Sequence, residues 1–195
     1  MKNDWSNNEA KKFVKKYKKL GFSKDVSLRV YTRRLLGKNK ELVLHGGGNT
    51  SVKISEKDFF GDSQDLIYVK GSGWDLETIE REGFAPVRME TLLKMAEIDD
   101  LSDTDMVTQQ RAAMSNPDAP NPSVEAILHA ILPFKFVDHT HANAVVALTN
   151  HADGEARVRE AYGDRVLIVP YVMPGFILAK TVAEIIKGKD LSKVD

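Results

Sequence analysis

Two histidines one residue apart, His139 and His141, are the side chains of this sequence best suited to metal chemistry. They end the alternating run 134–141, whose pattern predicts a β-strand, and the two-residue period of a strand puts both imidazoles on one face. Neutral imidazole is a common zinc ligand, so the pair could share one cation. The same spacing also occurs in ordinary surface strands, and a closed metal site needs further ligands.

Further ligands could come from several places in the chain. Glu125 is one candidate, and His129 lies one turn beyond it on the same predicted helix face, while His45 and His151 are others. A histidine in an apolar helix, such as His129, is more often a core residue with a satisfied hydrogen bond, and His151 is expected in a loop. The sequence contains no cysteine, which excludes thiolate metal sites, a cysteine nucleophile and a disulfide framework.

Two glycine-rich segments could bind an anion through their backbone N–H groups. The first runs from His45 to Ser51 and contains three consecutive glycines, and the second is Gly71-Ser72-Gly73 at the end of a predicted strand. Glycine leaves the backbone uncovered and tolerates positive φ, so successive amides can surround a phosphate without a formal positive charge. An ordinary glycine turn is the alternative interpretation of each segment alone.

A third segment, residues 121–125, has the pattern of a helix start. Asn121 suits the N-cap and Pro122 the first helical position, which predicts a helix over 123–132 with free amides in its first turn. Such an N-terminus attracts phosphate. Glu125 would place a carboxylate beside the bound anion, although it could equally serve only to complement the helix dipole.

A layered α/β domain is the arrangement expected to position these segments. Capping signatures at Ser6 and Ser23 predict two N-terminal helices, and alternating runs predict short strands. The strands are expected at 41–45, 50–54, 65–70, 134–141 and 165–169, and further helices at 91–98, 103–114, 123–132, 143–148, 155–162 and 176–187. Strands interleaved with helices favour one α/β domain over residues 1–195.

The composition narrows the class of protein. With 42% hydrophobic residues over 195 positions the chain is expected to fold as one domain, and 28 basic against 28 acidic residues give no argument for nucleic acid as the principal partner. The longest unbroken apolar run is Ala144–Leu148, and the first ten residues are polar. We therefore expect a soluble cytoplasmic protein without a signal peptide or a membrane-spanning segment.

Taken together and in this order, the motifs resemble the class II aldolase/adducin family. Within it they are most similar to the aldolase part of bifunctional rhamnulose-1-phosphate aldolase/short-chain dehydrogenase proteins. The resemblance spans most of the chain and is carried by residues 44–51, 69–74, 121–125, 138–141 and 169–176. It implies a three-layer fold with a central, mostly antiparallel sheet flanked by helices, assembled as a homotetramer.

The resemblance also implies roles for individual residues. Glu125 matches the catalytic acid/base, and His139 with His141 match two of three zinc-binding histidines. The substrate phosphate contacts match Gly48, Asn49, Ser72, Gly73, Ser123 and Val124. The implied reaction is reversible cleavage of a ketose 1-phosphate, such as rhamnulose 1-phosphate, to dihydroxyacetone phosphate and an aldehyde. Zn²⁺ or another divalent metal would act as Lewis acid, and Glu125 would move a proton.

The sequence departs from the family pattern in three respects. The spacing from Glu125 to His139 is shorter than in compact sugar-phosphate aldolases, and the segment 51–72 is longer. The identity of the sugar phosphate is therefore left open. Family members also carry a third metal histidine after the helix matching 181–186, and none follows here. We therefore expect a chain truncated at its C-terminal end. A non-catalytic module resembling the adducin head, or an epimerase or dehydratase on the same fold, are the alternatives.

Overall fold

A four-stranded antiparallel sheet is the centre of the computed structural model, which describes residues 3–194. The strands are β1 (Asn49–Lys57), β2 (Ser63–Lys70), β3 (Phe84–Arg88) and β4 (Phe136–His139). They lie in the order β3-β2-β1-β4, and each neighbouring pair is antiparallel. The predicted α/β architecture with a mostly antiparallel sheet is confirmed.

Helices account for about half of the remaining described chain, and none within residues 3–194 is long and apolar enough to cross a bilayer. They are α1 (Asn7–Lys18), α2 (Lys24–Lys38), α3 (Met89–Glu97), α4 (Asp103–Ala112), α5 (Ala126–Ile131), α6 (Asn143–Thr149), α7 (Gly154–Tyr162) and α8 (Phe176–Ile186). The first two begin where the capping signatures place them. The side-chain oxygens of Ser6 and Ser23 accept the backbone N–H of Glu9 and Val26, at 3.4 and 3.2 Å.

The two faces of the sheet carry different helices, which makes three layers. Successive side chains of β2 point to opposite faces. Leu66 and Tyr68 pack with α1 and α2, whereas Ile67 and Val69 pack in a larger cluster with α3, α4, α5 and α8. The sheet is therefore covered on both sides, and the ends of its strands are left to form a polar site.

Two predicted strands are absent from the structure, and one strand of the structure was not predicted. Residues 41–45 form turns instead of a strand, because the N–H groups of Leu42 and Val43 both donate to the carbonyl of Asn39 and His45 has a φ of 52°. Residues 165–169 have no strand partner. Strand β3 was not predicted because it contains Pro86, and its position at the sheet edge is where proline is tolerated.

Candidate active site

The candidate site lies at one edge of the sheet, where β1 begins and β4 ends. Asn49 at the start of β1 is paired with His139 at the end of β4. Helix α5 packs against the face of the sheet that carries Asn49 and Ser51, since Asn49 contacts Glu125 and Ser51 contacts His129. This packing brings the glutamate at the start of α5 to the histidine at the end of β4.

Glu125, His139 and His141 form one contiguous cluster. The Nε2 atoms of the two imidazoles are 3.1 Å apart, and Nδ1 of His139 lies 3.0 Å from Oε2 of Glu125. Asn49 donates from Nδ2 to the same carboxylate oxygen at 3.4 Å. His141 lies beyond the strand, and its backbone N–H donates to the carbonyl of Leu42. The three side chains expected to carry the chemistry are therefore brought together.

The two imidazoles fit two ligand positions of one divalent ion. Nitrogen ligands about 2.0–2.1 Å from a zinc ion are roughly 3.0–3.4 Å apart, which is close to the observed separation of their Nε2 atoms. If Nδ1 of His139 donates its proton to Glu125, the lone pair of Nε2 is left for a metal. The observed hydrogen bond therefore favours the tautomer that a metal ligand needs.

The donor set is incomplete within the described chain. No group of three or more His, Cys, Asp or Glu side chains suited to a metal occurs in residues 3–194. His45 and His151 are exposed, and Nδ1 of His129 lies 2.9 Å from the Ser51 hydroxyl in the protein interior. None of these histidines completes the pair, so the residues present supply two nitrogen ligands and one neighbouring carboxylate.

Glu125 is held as a carboxylate by its neighbours. Burial raises its pKa, but the hydrogen bond and charge of His139, the Asn49 amide and the charge of His129 act against burial, and the net pKa lies below its ordinary value. Glu125 immediately precedes α5, which begins at Ala126.

Three of the six predicted phosphate contacts offer a free backbone amide. The N–H groups of Gly48, Gly73 and Val124 donate no hydrogen bond to any residue within 3–194. In contrast, the backbone N–H groups of Ser72 and Ser123 donate hydrogen bonds to the carbonyls of Asn121 and Lys70, at 2.8 and 3.1 Å respectively. The predicted helix start at Ser123 was therefore wrong, because α5 begins at Ala126 and Ser123 pairs with the end of β2, while the amide of Val124 is free as predicted.

Direct contacts hold the three predicted phosphate segments together. Nζ of Lys70 donates to the carbonyl of Gly46 at 3.0 Å, which joins the two glycine segments. Gly71 forms an isolated β-bridge with Pro122, which joins the second segment to the third. Gly48 has a φ of +73°, and a Cβ there would lie 2.8 Å from the His139 carbonyl. Close approach and backbone conformation both require glycine at this position.

Asn49 is buried, and its side-chain amide donates to Glu125 at 3.4 Å. Its contact with a substrate phosphate stays a prediction. Sequence reasoning also missed Lys70, the cation that links the two glycine segments. A lysine at the end of an apolar strand, immediately before Gly-Ser-Gly, was the signal that could have identified it.

Asp138 is expected to be needed for stability because it neutralises a buried cation. It forms an ion pair with Arg29, whose side chain is 2% exposed, against 44% for Asp138. Asp138→Asn should lower the free energy of unfolding by about 2 kcal/mol, below the range of about 3–5 kcal/mol for fully buried pairs because Asp138 is half exposed. Urea denaturation at neutral pH measures the change.

The control for this variant is Asp25→Asn, which breaks an exposed ion pair with Lys135. Exposed pairs contribute about 0–1 kcal/mol, so this variant should change little. Equal losses in the two variants would show that the Arg29 charge needs no neutralisation.

Comparisons with known proteins agree on one class of domain. Residues 28–193 match the family model described as the class II aldolase and adducin N-terminal domain. The solved structure of the N-terminal class II aldolase domain of a conserved protein from Thermoplasma acidophilum is 41% identical, with a TM-score of 0.81 over 94% of this chain and 80% of that chain.

A longer curated relative is also similar. An uncharacterized oxidoreductase of Bacillus subtilis (strain 168), YuxG, is 39% identical over 161 residues, which is 83% of this chain and 23% of the relative. The chain therefore spans about a quarter of the length of that relative. A long relative named as an oxidoreductase agrees with the resemblance to proteins that join an aldolase part to a dehydrogenase part.

Proposed function

The chain belongs to the class II aldolase and adducin N-terminal domain family, and on that premise we propose that it cleaves a ketose 1-phosphate to dihydroxyacetone phosphate and an aldehyde. The single observation that carries the proposal is the contact of Glu125 with His139 beside His141. A family domain without chemistry has no need of a partly buried carboxylate held against one of two paired imidazoles. Rhamnulose 1-phosphate is the substrate that we propose.

The substrate phosphate would be held by neutral hydrogen-bond donors. The free amides of Gly48, Gly73 and Val124 and the hydroxyls of Ser72 and Ser123 come from the three joined segments. Amides arranged in this way bind oxyanions. Their role is to fix one end of the ketose so that its carbonyl end reaches the imidazole pair.

The Glu125 carboxylate would carry the proton. In cleavage the carbinol hydroxyl next to the scissile C–C bond loses its proton, the bond breaks to give an aldehyde and an enediolate, and Glu125 delivers a proton to the enediolate carbon that becomes the hydroxymethyl group. The proton lost by the hydroxyl balances the proton gained by that carbon, and bond formation runs the same steps in reverse. His139 and His141 would hold a divalent metal, for which we propose Zn²⁺, and the ion when bound supplies Lewis-acid stabilisation of negative charge on the substrate oxygens. Asn49 keeps the carboxylate oriented.

Assembly and location are proposed with the activity. By family resemblance we propose a homotetramer in the cytoplasm, and Tyr162 and Tyr171 are candidates for the proton donor to the aldehyde oxygen. Tyr171 is 88% exposed in the described chain and its hydroxyl contacts only the nearby Met173 sulfur, so a neighbouring copy could receive it. A tyrosine so placed is available to a site between subunits.

Cleavage by the metal-loaded protein tests the proposal. Protein dialysed against chelator and reloaded with Zn²⁺ should release dihydroxyacetone phosphate from rhamnulose 1-phosphate, and the metal-free protein should not. Identification of all products separates cleavage from epimerisation or dehydration. A folded, metal-loaded protein that cleaves no ketose 1-phosphate would contradict the enzymatic proposal.

A non-catalytic assembly module resembling the adducin head is the second candidate. The observation that favours it is the incomplete donor set, with two imidazoles and no third metal-binding side chain grouped with them in residues 3–194. Calorimetric titration with Zn²⁺ separates the two candidates. Stoichiometric binding favours the lyase, and absence of binding favours the module.

A further inference from the structure

Arg33 is a buried cation without a hydrogen-bond partner. Its side chain in α2 is fully buried, and Nε, Nη1 and Nη2 all lack a partner among residues 3–194. The guanidinium lies over the ring of Phe84, 4.0 Å from its centroid. The next residue, Arg34, is ordinary by comparison, since its side chain donates to the carbonyl of Ile79 and forms an ion pair with Glu80.

The Arg33 guanidinium forms no hydrogen bond and no ion pair with the described residues. The charge of Asp138 favours the Arg33 cation, but Asp138 forms its ion pair with Arg29. Lys70 is also buried and adds a second cation without an ion pair, its Nζ being bonded to the Gly46 carbonyl. Burial, and then the charge of Arg29, place the pKa of Arg33 well below its ordinary value, although arginine keeps its proton in proteins.

A short series of contacts connects the Arg33 guanidinium to the glycine segments. Phe84, which the Arg33 guanidinium covers, is the cross-strand partner of Lys70 in the β2–β3 register. Lys70 in turn holds Gly46 and is followed at once by Gly71 of the second segment. The chain of contacts runs from Arg33 through one residue pair to the backbone of both glycine segments.

Stability does not explain a guanidinium at this position. A buried charge without a partner is costly, and replacing buried ionic groups by apolar side chains of similar size is often neutral or stabilising. The surroundings of α2 at this point include Val30, Val26 and Phe84, which would suit an apolar side chain. A benefit outside folding would account for the cost.

We propose that Arg33 is a positioning residue whose uncompensated charge favours a dianionic phosphate group at the glycine segments. The segments themselves offer only neutral amides and hydroxyls as donors, so a preference for the more highly charged anion would come from the two cations next to them, Lys70 and Arg33. A charge acting through the protein interior is screened less than one acting through water. The inference rests on the proposed phosphate-binding role of those segments.

Substitutions at two adjacent arginines test the inference. Calorimetric titration with inorganic phosphate at pH 8 should give an affinity about tenfold weaker in Arg33→Met than in the parent protein, since one interior charge is lost. Arg34→Met removes the same charge from the solvent side of the same helix and should bind phosphate as the parent does. The urea midpoint of Arg33→Met should equal or exceed that of the parent protein.

A second readout separates charge from structure. Sulfate and perchlorate share a tetrahedral shape and differ in charge, so the preference for sulfate should shrink in Arg33→Met, persist in Arg34→Met and be partly restored in Arg33→Lys. Arg33→Gln, which is uncharged but polar, should match Arg33→Met and serves if the methionine variant does not fold.

The possible failures have different meanings. Parental phosphate affinity in a folded Arg33→Met protein overturns the inference and leaves the proposed function standing. Loss of folding in both neutral variants also overturns it, because the guanidinium is then structural. A parent protein that binds no phosphate contradicts the phosphate role of the glycine segments and the inference together.

Discussion

Glu125→Gln should lower kcat for cleavage of a ketose 1-phosphate by about 10²–10⁴-fold, the usual contribution of a positioned general acid/base. Glutamine has the same size, and its carbonyl oxygen can still accept the hydrogen bond from Nδ1 of His139, so the cluster should keep its geometry. It cannot carry the proton. KM should change little, because the amides proposed to hold the phosphate are untouched. Steady-state kinetics on the metal-loaded protein measures both constants.

The matched control is Glu56→Gln, which alters a glutamate far from the cluster. Glu56 lies toward the other end of β1 and accepts hydrogen bonds from the Tyr68 hydroxyl at 3.0 and 3.2 Å. Its substitution should leave kcat unchanged. A Glu125→Gln protein that retains kcat within about threefold, with circular dichroism equal to that of the parent, would exclude Glu125 as the acid/base.

The sequence predicted a helix or strand correctly where residues close together in the chain determine that element. The N-caps at Ser6 and Ser23 and the alternation in β1 and β2 depend on neighbouring residues, and the structure has those elements in place. Strand β3 depends instead on its partner β2, since a segment containing proline has little strand character of its own. The run 165–169 has strand composition but no partner, so composition alone misled the prediction.

For the candidate site, the sequence predicted which residues take part but not which side chains contact each other. Motifs identified Glu125, His139 and His141, because each residue type is unusual at its spacing. The partner of each side chain was not predictable, since the contact of Asn49 with Glu125 and that of Ser51 with His129 depend on how α5 packs on the sheet.

Buried arginines were the least visible feature of the sequence. Residues 1–40 are rich in lysine and arginine, and among these residues Arg29 and Arg33 are buried. Their spacing did contain the signal. They lie four residues apart on the same helical face as Val26 and Val30, so the apolar face of α2 already included both.

Acid should destabilise the protein through His129. The side chain is 1% exposed, and burial is the main cause that lowers its pKa to about 4, with the charge of Glu125 opposing and nearby cations assisting. The folded pKa is below the ordinary value of 6.5, so the unfolded state binds the proton more readily. Above pH 6.5 His129 is neutral in both states and costs no stability. As the pH falls from 6.5 toward 4, the unfolded state takes up the proton first, and the free energy of unfolding falls.

The expected loss is large for a single side chain. A pKa difference of this size amounts to about 3 kcal/mol once the pH has fallen below both values, and to about 2 kcal/mol at pH 5. The free energy of unfolding from urea titrations should therefore drop by about 2 kcal/mol between pH 7 and pH 5. In His129→Gln, which cannot titrate and keeps a polar atom near Ser51, most of that drop should disappear.

The change in stability between pH 7 and pH 5 separates the effect of His129 from that of Glu125. Glu125 has a lowered pKa, so its contribution to stability is lost only as the pH falls below its ordinary value of 4.5, outside this window. His151→Gln is the matched control, because His151 is exposed and its loss should leave the pH dependence of the parent. If His129→Gln keeps the full drop between pH 7 and pH 5, burial does not lower the pKa of the His129 imidazole, and another group causes the loss of stability.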